Sequence, residues 1–115
     1  MEQFLFTKKV DKSLLEAGLT IPVAKQEAVL TAVGAVLGRG SRVTIDIYVG
    51  ELAYPAILTH VNIASANREV YQIRYSAGSD ICKKVNELFG EKTGTQEIEV
   101  WADTHRHLIF IKAKE

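Results

Sequence analysis

The segment 41–49 constrains the fold more than any other part of the chain, because a valine or isoleucine occupies every second position from 43 to 49. A period of two predicts a strand with one buried face. Gly50 and Glu51 then give a turn signal. The segment 52–63 continues as a second strand, in which Pro55 indicates an edge position or a bulge. The two strands are expected to form a hairpin.

Further elements follow from similar signals. Asp11 is expected to cap a short helical turn that ends at Gly18. Pro22 suits the first position of an apolar helix, which the glycine-rich turn 38–40 ends. An apolar stripe at helical spacing predicts another helix after Ser79. The predicted strands are 3–10, 41–49, 52–63, 69–75, 96–102 and 107–112, and the two main helices are 23–37 and 79–89.

Short turns join most of the predicted strands, which favours pairing between neighbours in an antiparallel sheet. We therefore expect an α+β fold, a mostly antiparallel open β-barrel of about six to seven strands with two main helices. In the first strand, alternation places Phe4 and Phe6 on the same face. The 115 residues have an ordinary apolar fraction of 47%, and we expect the range 1–115 to form a single domain.

The charge balance excludes a strong overall attraction to polyanions, because 14 Lys and Arg residues match 14 Asp and Glu residues. Any attraction to nucleic acid must therefore be local. The single cysteine, Cys82, and an N-terminus without a signal-peptide pattern favour a cytoplasmic protein. The longest apolar run is far shorter than the roughly 20 residues of a membrane span, so we expect no membrane partner.

Catalytic and metal-binding patterns are missing from the sequence. His105 and His107 could supply metal ligands, but no partner follows at a zinc-site spacing, and Cys82 stands alone on a predicted helix. The sequence contains no nucleophile elbow, and the glycines of segment 34–40 lack the residues of a phosphate loop. We expect no metal, no cofactor and no catalysis by this chain. A small hydrolase or nuclease that uses His105, His107 and nearby carboxylates is the least favoured alternative.

Two groups of side chains are candidates for nucleic-acid contact. Lys8, Lys9 and Lys12 cluster where the first strand gives way to the short helix, and ammonium groups suit phosphate oxygens. The segment 62–74 carries amide and guanidinium side chains of the kinds that pair with base edges. An ordinary solvated surface is the alternative for each group. The candidate phosphate contacts are Lys8, Lys9, Lys12 and Arg39, and the candidate base contacts are Asn67, Arg68, Gln72 and Arg74.

The order of several short motifs resembles a known family. The motifs are VDKSLL at 10–15, GLTIP at 18–22, the turn RG at 39–40, the segment 43–54, VYQIRY at 70–75 and a helix ending in LF at 88–89. Across about residues 4–89 they are similar to bacterial DNA-recognition domains attached to restriction endonucleases, such as the EcoRII N-terminal domain, and to the plant-specific transcription-factor pseudobarrel. The resemblance implies a seven-stranded open pseudobarrel with short helices, whose two arms grip the major groove from either side.

The resemblance also implies a function. The chain would be a sequence-specific double-stranded DNA-binding module, the recognition part of a restriction or defence system whose nuclease lies on another domain or chain. It maps one arm onto residues 7–13 and the other onto 62–74, where the two candidate groups lie. The second hypothesis is a protein-interaction or homodimerisation domain without nucleic-acid binding, because the chain is neutral and the apolar helix 23–37 could pair with a copy of itself.

Overall fold

The computed structural model describes residues 2–34, 36–38, 40–61, 70–90 and 96–113. Within these residues one sheet curls into a half-barrel, and three α-helices accompany it. The strands are β1 (Glu2–Lys9), β2 (Gly18–Thr20), β3 (Arg42–Val49), β4 (Leu52–His60), β5 (Tyr71–Arg74), β6 (Glu97–Asp103) and β7 (Leu108–Ala113). The helices are α1 (Lys12–Glu16), α2 (Gln26–Val33) and α3 (Asp80–Phe89), and a 3-10 turn, Val23–Lys25, precedes α2.

The strands pair in the order β1-β6-β7-β3-β4-β5-β2. Neighbours run antiparallel except β3 and β7, which run parallel. The predicted α+β class with a mostly antiparallel, barrel-like sheet is therefore confirmed, while the single parallel pair makes the sheet mixed. Sequence patterns miss this pair because β4, β5 and β6 separate β3 from β7 in the chain, and local periodicity does not show which distant strands pair.

The expected hairpin joins β3 and β4 around Gly50, whose φ of 74° suits a tight turn. Pro55 stands opposite Asp46 in an unbroken register, so no bulge forms there. β5 pairs with β4 only from Ile57 onward. Pro55 therefore lies where β4 has a single neighbour among the described strands, and this local edge tolerates its missing N–H.

The first strand contains a bulge that alternation does not predict. Its register against β6 shifts between Phe4 and Phe6, which makes Leu5 the extra residue. Leu5 and Phe6 are both buried, whereas Phe4 is 44% exposed. The prediction that Phe4 and Phe6 share a face is therefore wrong. Beyond the bulge, Lys8 stands opposite the buried Ile98 and so lies on the inner side of the sheet.

Gly18 begins β2, and the prediction that it ends the preceding helix is wrong. α1 already ends at Glu16, with Ala17 as its C-cap. Gly18 has a φ of 133°, and a Cβ atom there would lie 2.0 Å from the carbonyl oxygen of Ile73 on β5. Only glycine allows the two backbones to approach this closely.

The predicted helix 23–37 is shorter in the structure. The segment 23–25 forms a 3-10 turn, and α2 ends at Val33 because Gly34 adopts the left-handed conformation with a φ of 71°. The glycine-rich turn 38–40 therefore does not end the helix. α2 packs against β6 and β7, where its Val29 and Ala32 side chains are buried.

α3 closes the core beside the hairpin. Ser79 caps it by accepting a hydrogen bond from the Cys82 N–H. The predicted apolar stripe consists of Ile81, Val85, Leu88 and Phe89. Three of these side chains are buried, whereas Leu88 is 37% exposed. The helix packs on α1, β3 and β4.

We predict that Gly18→Ala destabilises the protein by about 3 kcal/mol or more, because a methyl group must displace the β5 backbone and adopt a forbidden φ. Urea unfolding followed by circular dichroism measures this loss. Gly78→Ala is the matched control, since Gly78 also has a positive φ of 83° but nothing within 4 Å of its Cβ position. It should cost only about 1 kcal/mol. Equal costs for the two variants would contradict the close approach.

Candidate nucleic-acid interface

The two edges of the described sheet, β1 and β2, are consecutive strands of the chain. α1 connects them, so the edges lie near each other. A cleft of about 410 Å³ opens between the end of β1, α1 and the paired strands β2 and β5. Its polar lining residues are Lys8, Asp11, Ser13, Thr20, Gln72 and Arg74.

Tyr75, which follows β5, attaches α1 to the sheet at two points. Its N–H donates to the Ala17 carbonyl at 2.9 Å, and its hydroxyl donates to the carbonyl of Leu14. Burial raises the pKa of the hydroxyl well above its ordinary value of 10. The group therefore keeps its proton, and its role as a donor, at neutral pH.

α3 holds the same end of α1. The Asn86 side chain donates to the Leu15 carbonyl at 2.6 Å, and the Cys82 thiol donates to the same oxygen at 3.0 Å. The last carbonyls of a helix have no partner within it, so these donors stabilise a helix that is too short to persist alone. α1 is thus fixed between β5 and α3, and it carries one wall of the cleft.

Lys8 and Asp11 form an ion pair at the rim of the cleft, with 2.6 Å between Lys8 Nζ and Asp11 Oδ2. The other Asp11 oxygen accepts the N–H of Leu14 at 2.9 Å, which is the predicted N-cap of α1. Partial burial raises the pKa of Asp11, but the hydrogen bonds from Lys8 and Leu14 lower it by more. The net pKa lies below the ordinary value of 3.8, so the pair is ionised at neutral pH.

Gln72 and Arg74 alternate with the buried Tyr71 and Ile73 along β5. Gln72 is half-buried and donates a long hydrogen bond of 3.4 Å to the Thr20 hydroxyl. Arg74 is exposed and stands opposite Gly18, which has no side chain to cover it. The cleft therefore brings together Lys8 from one candidate group and two side chains from the other.

The remaining candidate residues lie elsewhere. Lys9 is exposed opposite Glu97, and the alternation of β1 turns it away from the side that Lys8 faces. Lys12 is exposed in the first turn of α1. Arg39, Asn67 and Arg68 lie outside the described residues, so most of the expected second arm is not placed.

The histidines of the least favoured alternative have structural neighbours. The Nδ1 atom of His107 lies 3.2 Å from the carbonyl oxygen of Ala32, at the end of α2. Among the residues that the structure describes, no group of three or more His, Cys, Asp or Glu side chains is arranged to hold a metal ion. None of the described helices combines the length and apolar character that a membrane span requires.

A row of aromatic rings crosses the outer face of the sheet, and the sequence analysis did not find it. Phe4, Trp101, Phe110 and Tyr48 stand opposite one another on β1, β6, β7 and β3. We call these four residues the aromatic row. The ring centroids of Trp101 are 5.5 Å from Phe4 and 6.1 Å from Phe110. Each ring occupies an outward position of its strand, but the pairing register between the strands is what places the four rings side by side.

Comparisons with protein-family models, with curated proteins and with solved structures found no match to this chain. The resemblance to DNA-recognition pseudobarrels therefore stays a prediction. The geometry of the cleft and of the aromatic row is the basis for inferring function.

We predict that Lys8→Ala raises the pKa of Asp11, because the variant loses the ammonium that favours the carboxylate. Because the pKa of Asp11 is lowered in the folded protein, the Asp11 carboxylate stabilises the fold above pH 3.8, and this stabilisation is lost as the pH falls through the folded-state pKa. In the Lys8→Ala variant the stabilisation should begin to be lost at a higher pH. A carboxyl titration by NMR measures the shift, and Lys12→Ala is the control. An equal shift in both variants would show that the ion pair is not specific.

Proposed function

We propose that this chain is a double-stranded DNA-binding module whose contacts centre on the cleft between β1, α1 and the β2–β5 pair. The observation that carries the proposal is that Lys8, Gln72 and Arg74, from segments far apart in sequence, line this one cleft. Phosphate-binding and base-reading side chains must lie side by side to read a duplex. The cleft contains a cation that suits phosphate, Lys8, next to two side chains that suit base edges, Gln72 and Arg74.

Each of these side chains has a distinct role in the proposal. Arg74 is exposed, and its guanidinium can make paired hydrogen bonds to a guanine edge or to a phosphate. The amide of Gln72 suits an adenine edge. Lys8 supplies a cation for the phosphate backbone. Lys12, which is exposed on α1 and does not line the cleft, is a further phosphate contact in the proposal.

The Lys8–Asp11 pair sets a condition on binding. A phosphate that approaches Lys8 must compete with the Asp11 carboxylate, which lies 2.6 Å from the ammonium. Among the described residues, Lys8 and Arg74 are the cationic side chains that line the cleft. Each phosphate that they neutralise should contribute about −0.9 to the slope of log affinity against log salt. Binding should therefore be strongest at low ionic strength.

The module would serve a nuclease on another domain or chain, as the motif resemblance implies. In that arrangement this chain contributes recognition and the partner contributes cleavage. The cleft lies at the junction of the two sheet edges, which leaves the outer face of the sheet available for other contacts.

We predict that Arg74→Ala weakens duplex binding by about 1–3 kcal/mol and relaxes the preference at one base pair. Fluorescence anisotropy with a labelled duplex library at low salt measures both effects. Arg42→Ala is the matched control, because Arg42 is also an exposed strand arginine but lies outside the cleft.

A third variant tests the competition at Lys8. Asp11→Asn keeps a residue that caps helices well and removes the carboxylate, so it should bind duplex more tightly than the native chain. The proposal fails if no duplex in the library binds at low salt, or if the Arg74 and Arg42 variants lose affinity equally.

A further inference from the structure

Two cations already lie over the rings of the aromatic row. The Lys112 ammonium is 4.2 Å from the centroid of Trp101 and 5.9 Å from that of Phe110. The Arg106 guanidinium is 5.5 Å from the centroid of Tyr48. Ring faces carry partial negative charge and attract cations, Trp most strongly. The row is therefore a surface on which ammonium and guanidinium groups bind.

Carboxylates surround the row. The outward positions two residues away are Glu2 on β1, Asp46 on β3, and Glu99 and Asp103 on β6, against Lys112 alone on β7. The Arg106 side chain donates to Asp103 at 2.9 Å, and this bond lowers the pKa of Asp103 to about 2. Glu99 accepts from the Trp101 indole at 3.1 Å. Acidic groups thus outnumber basic ones around the rings.

We propose that the aromatic row is a docking surface for a protein segment that presents lysine or arginine side chains. The partner's cations would take the positions over the rings that Lys112 and Arg106 occupy in the free chain. Neighbouring carboxylates would complement their charge. Exposed Trp, Tyr and Phe side chains are the anchors that protein interfaces use most, and Phe4 is already 44% exposed.

A cavity beside the row suits one such side chain. It has a volume of about 170 Å³, and Tyr48, Phe110 and Glu2 are among its lining residues. Two aromatic walls and a carboxylate form the kind of environment that binds a cationic group. Arg106 also lines it, but Asp103 pairs with that guanidinium.

The charge pattern argues against nucleic acid on this face. Single strands do stack on aromatic rows, but such platforms combine rings with a cationic groove for the phosphates. Here the strands around the rings carry more carboxylates than cations, and the ring face of Trp101 already holds an ammonium. The outer face and the cleft therefore differ in charge character, and this inference stands apart from the DNA proposal.

The experiment uses Trp101, the one tryptophan of the chain, as a probe within the site. The full chain is titrated at low salt with a tyrosine- and tryptophan-free peptide of alternating glycine and lysine, while Trp101 emission is recorded. A shift in emission that saturates is expected. The same peptide with acetylated lysines, which lack the charge, should leave the emission unchanged.

The decisive variant is Lys112→Ala. It removes the internal cation that competes for the ring faces, so it should bind the lysine peptide about two- to five-fold more tightly, the range of an exposed cation–π contact. Lys83→Ala removes the same charge from an exposed position on α3, and it should change affinity far less. Trp101→Phe, measured with a labelled peptide, should bind more weakly because phenylalanine attracts cations less.

Several outcomes would overturn the proposal. The first is that the lysine peptide does not bind. The second is that its acetylated form binds equally well, and the third is that Lys83→Ala and Lys112→Ala increase the affinity for the lysine peptide by the same factor. A single-stranded oligonucleotide that binds Trp101 more tightly than the peptide, and binds the Lys112 variant less tightly, would assign the face to nucleic acid. If sedimentation shows that the chain dimerises and the dimer does not bind the peptide, the aromatic row would instead be the contact surface for a second copy of the chain.

Discussion

Tyr75 attaches α1, the helix between the two edge strands of the open sheet, to the end of β5, and one wall of the cleft depends on that attachment. Its N–H bonds to Ala17 beside β2, and its buried hydroxyl bonds to Leu14 inside α1. α1 in turn follows β1 directly, so a helix with little intrinsic stability determines the separation of β1 and β2. Asn86 and Cys82 reinforce the attachment from α3. These bonds fix α1, which carries the wall of the cleft between Lys8 and Arg74.

Neutral overall charge is compatible with the two proposed binding surfaces, which differ in local charge. The cleft is lined by Lys8 and Arg74, with Asp11 as a local counter-ion. The outer face has carboxylates next to the aromatic row, with Lys112 over Trp101. The local electrostatic potential of a surface determines which ligands approach it, and surfaces of opposite charge cancel in the net charge of the chain. Whole-chain composition therefore gives no information about either surface.

The sequence predicts elements whose signals are local. Alternation in segment 41–49 and the apolar stripe after Ser79 gave β3 and α3 correctly. β2 was missed because three residues, Gly18–Thr20, carry no periodic pattern and become a strand only by pairing with β5. The bulge at Leu5 was missed for the same reason, since it exists only relative to β6. Three of the candidate residues, Lys8, Gln72 and Arg74, line the same cleft, while strand alternation turns Lys9 away from the side that Lys8 faces. The two-armed interface that the resemblance implies stays a prediction. The aromatic row depends wholly on register.

The account's central claim is that the junction of the two sheet edges is the DNA-binding surface. An amide NMR spectrum of the full chain, titrated with a random-sequence duplex at low salt, tests it most directly. The account predicts that the amide chemical shifts change most at Lys8, Ser13, Gln72 and Arg74, while the chemical shift of the Trp101 indole N–H does not change. A titration that changes no chemical shift, or that changes only those of the aromatic row, would contradict it.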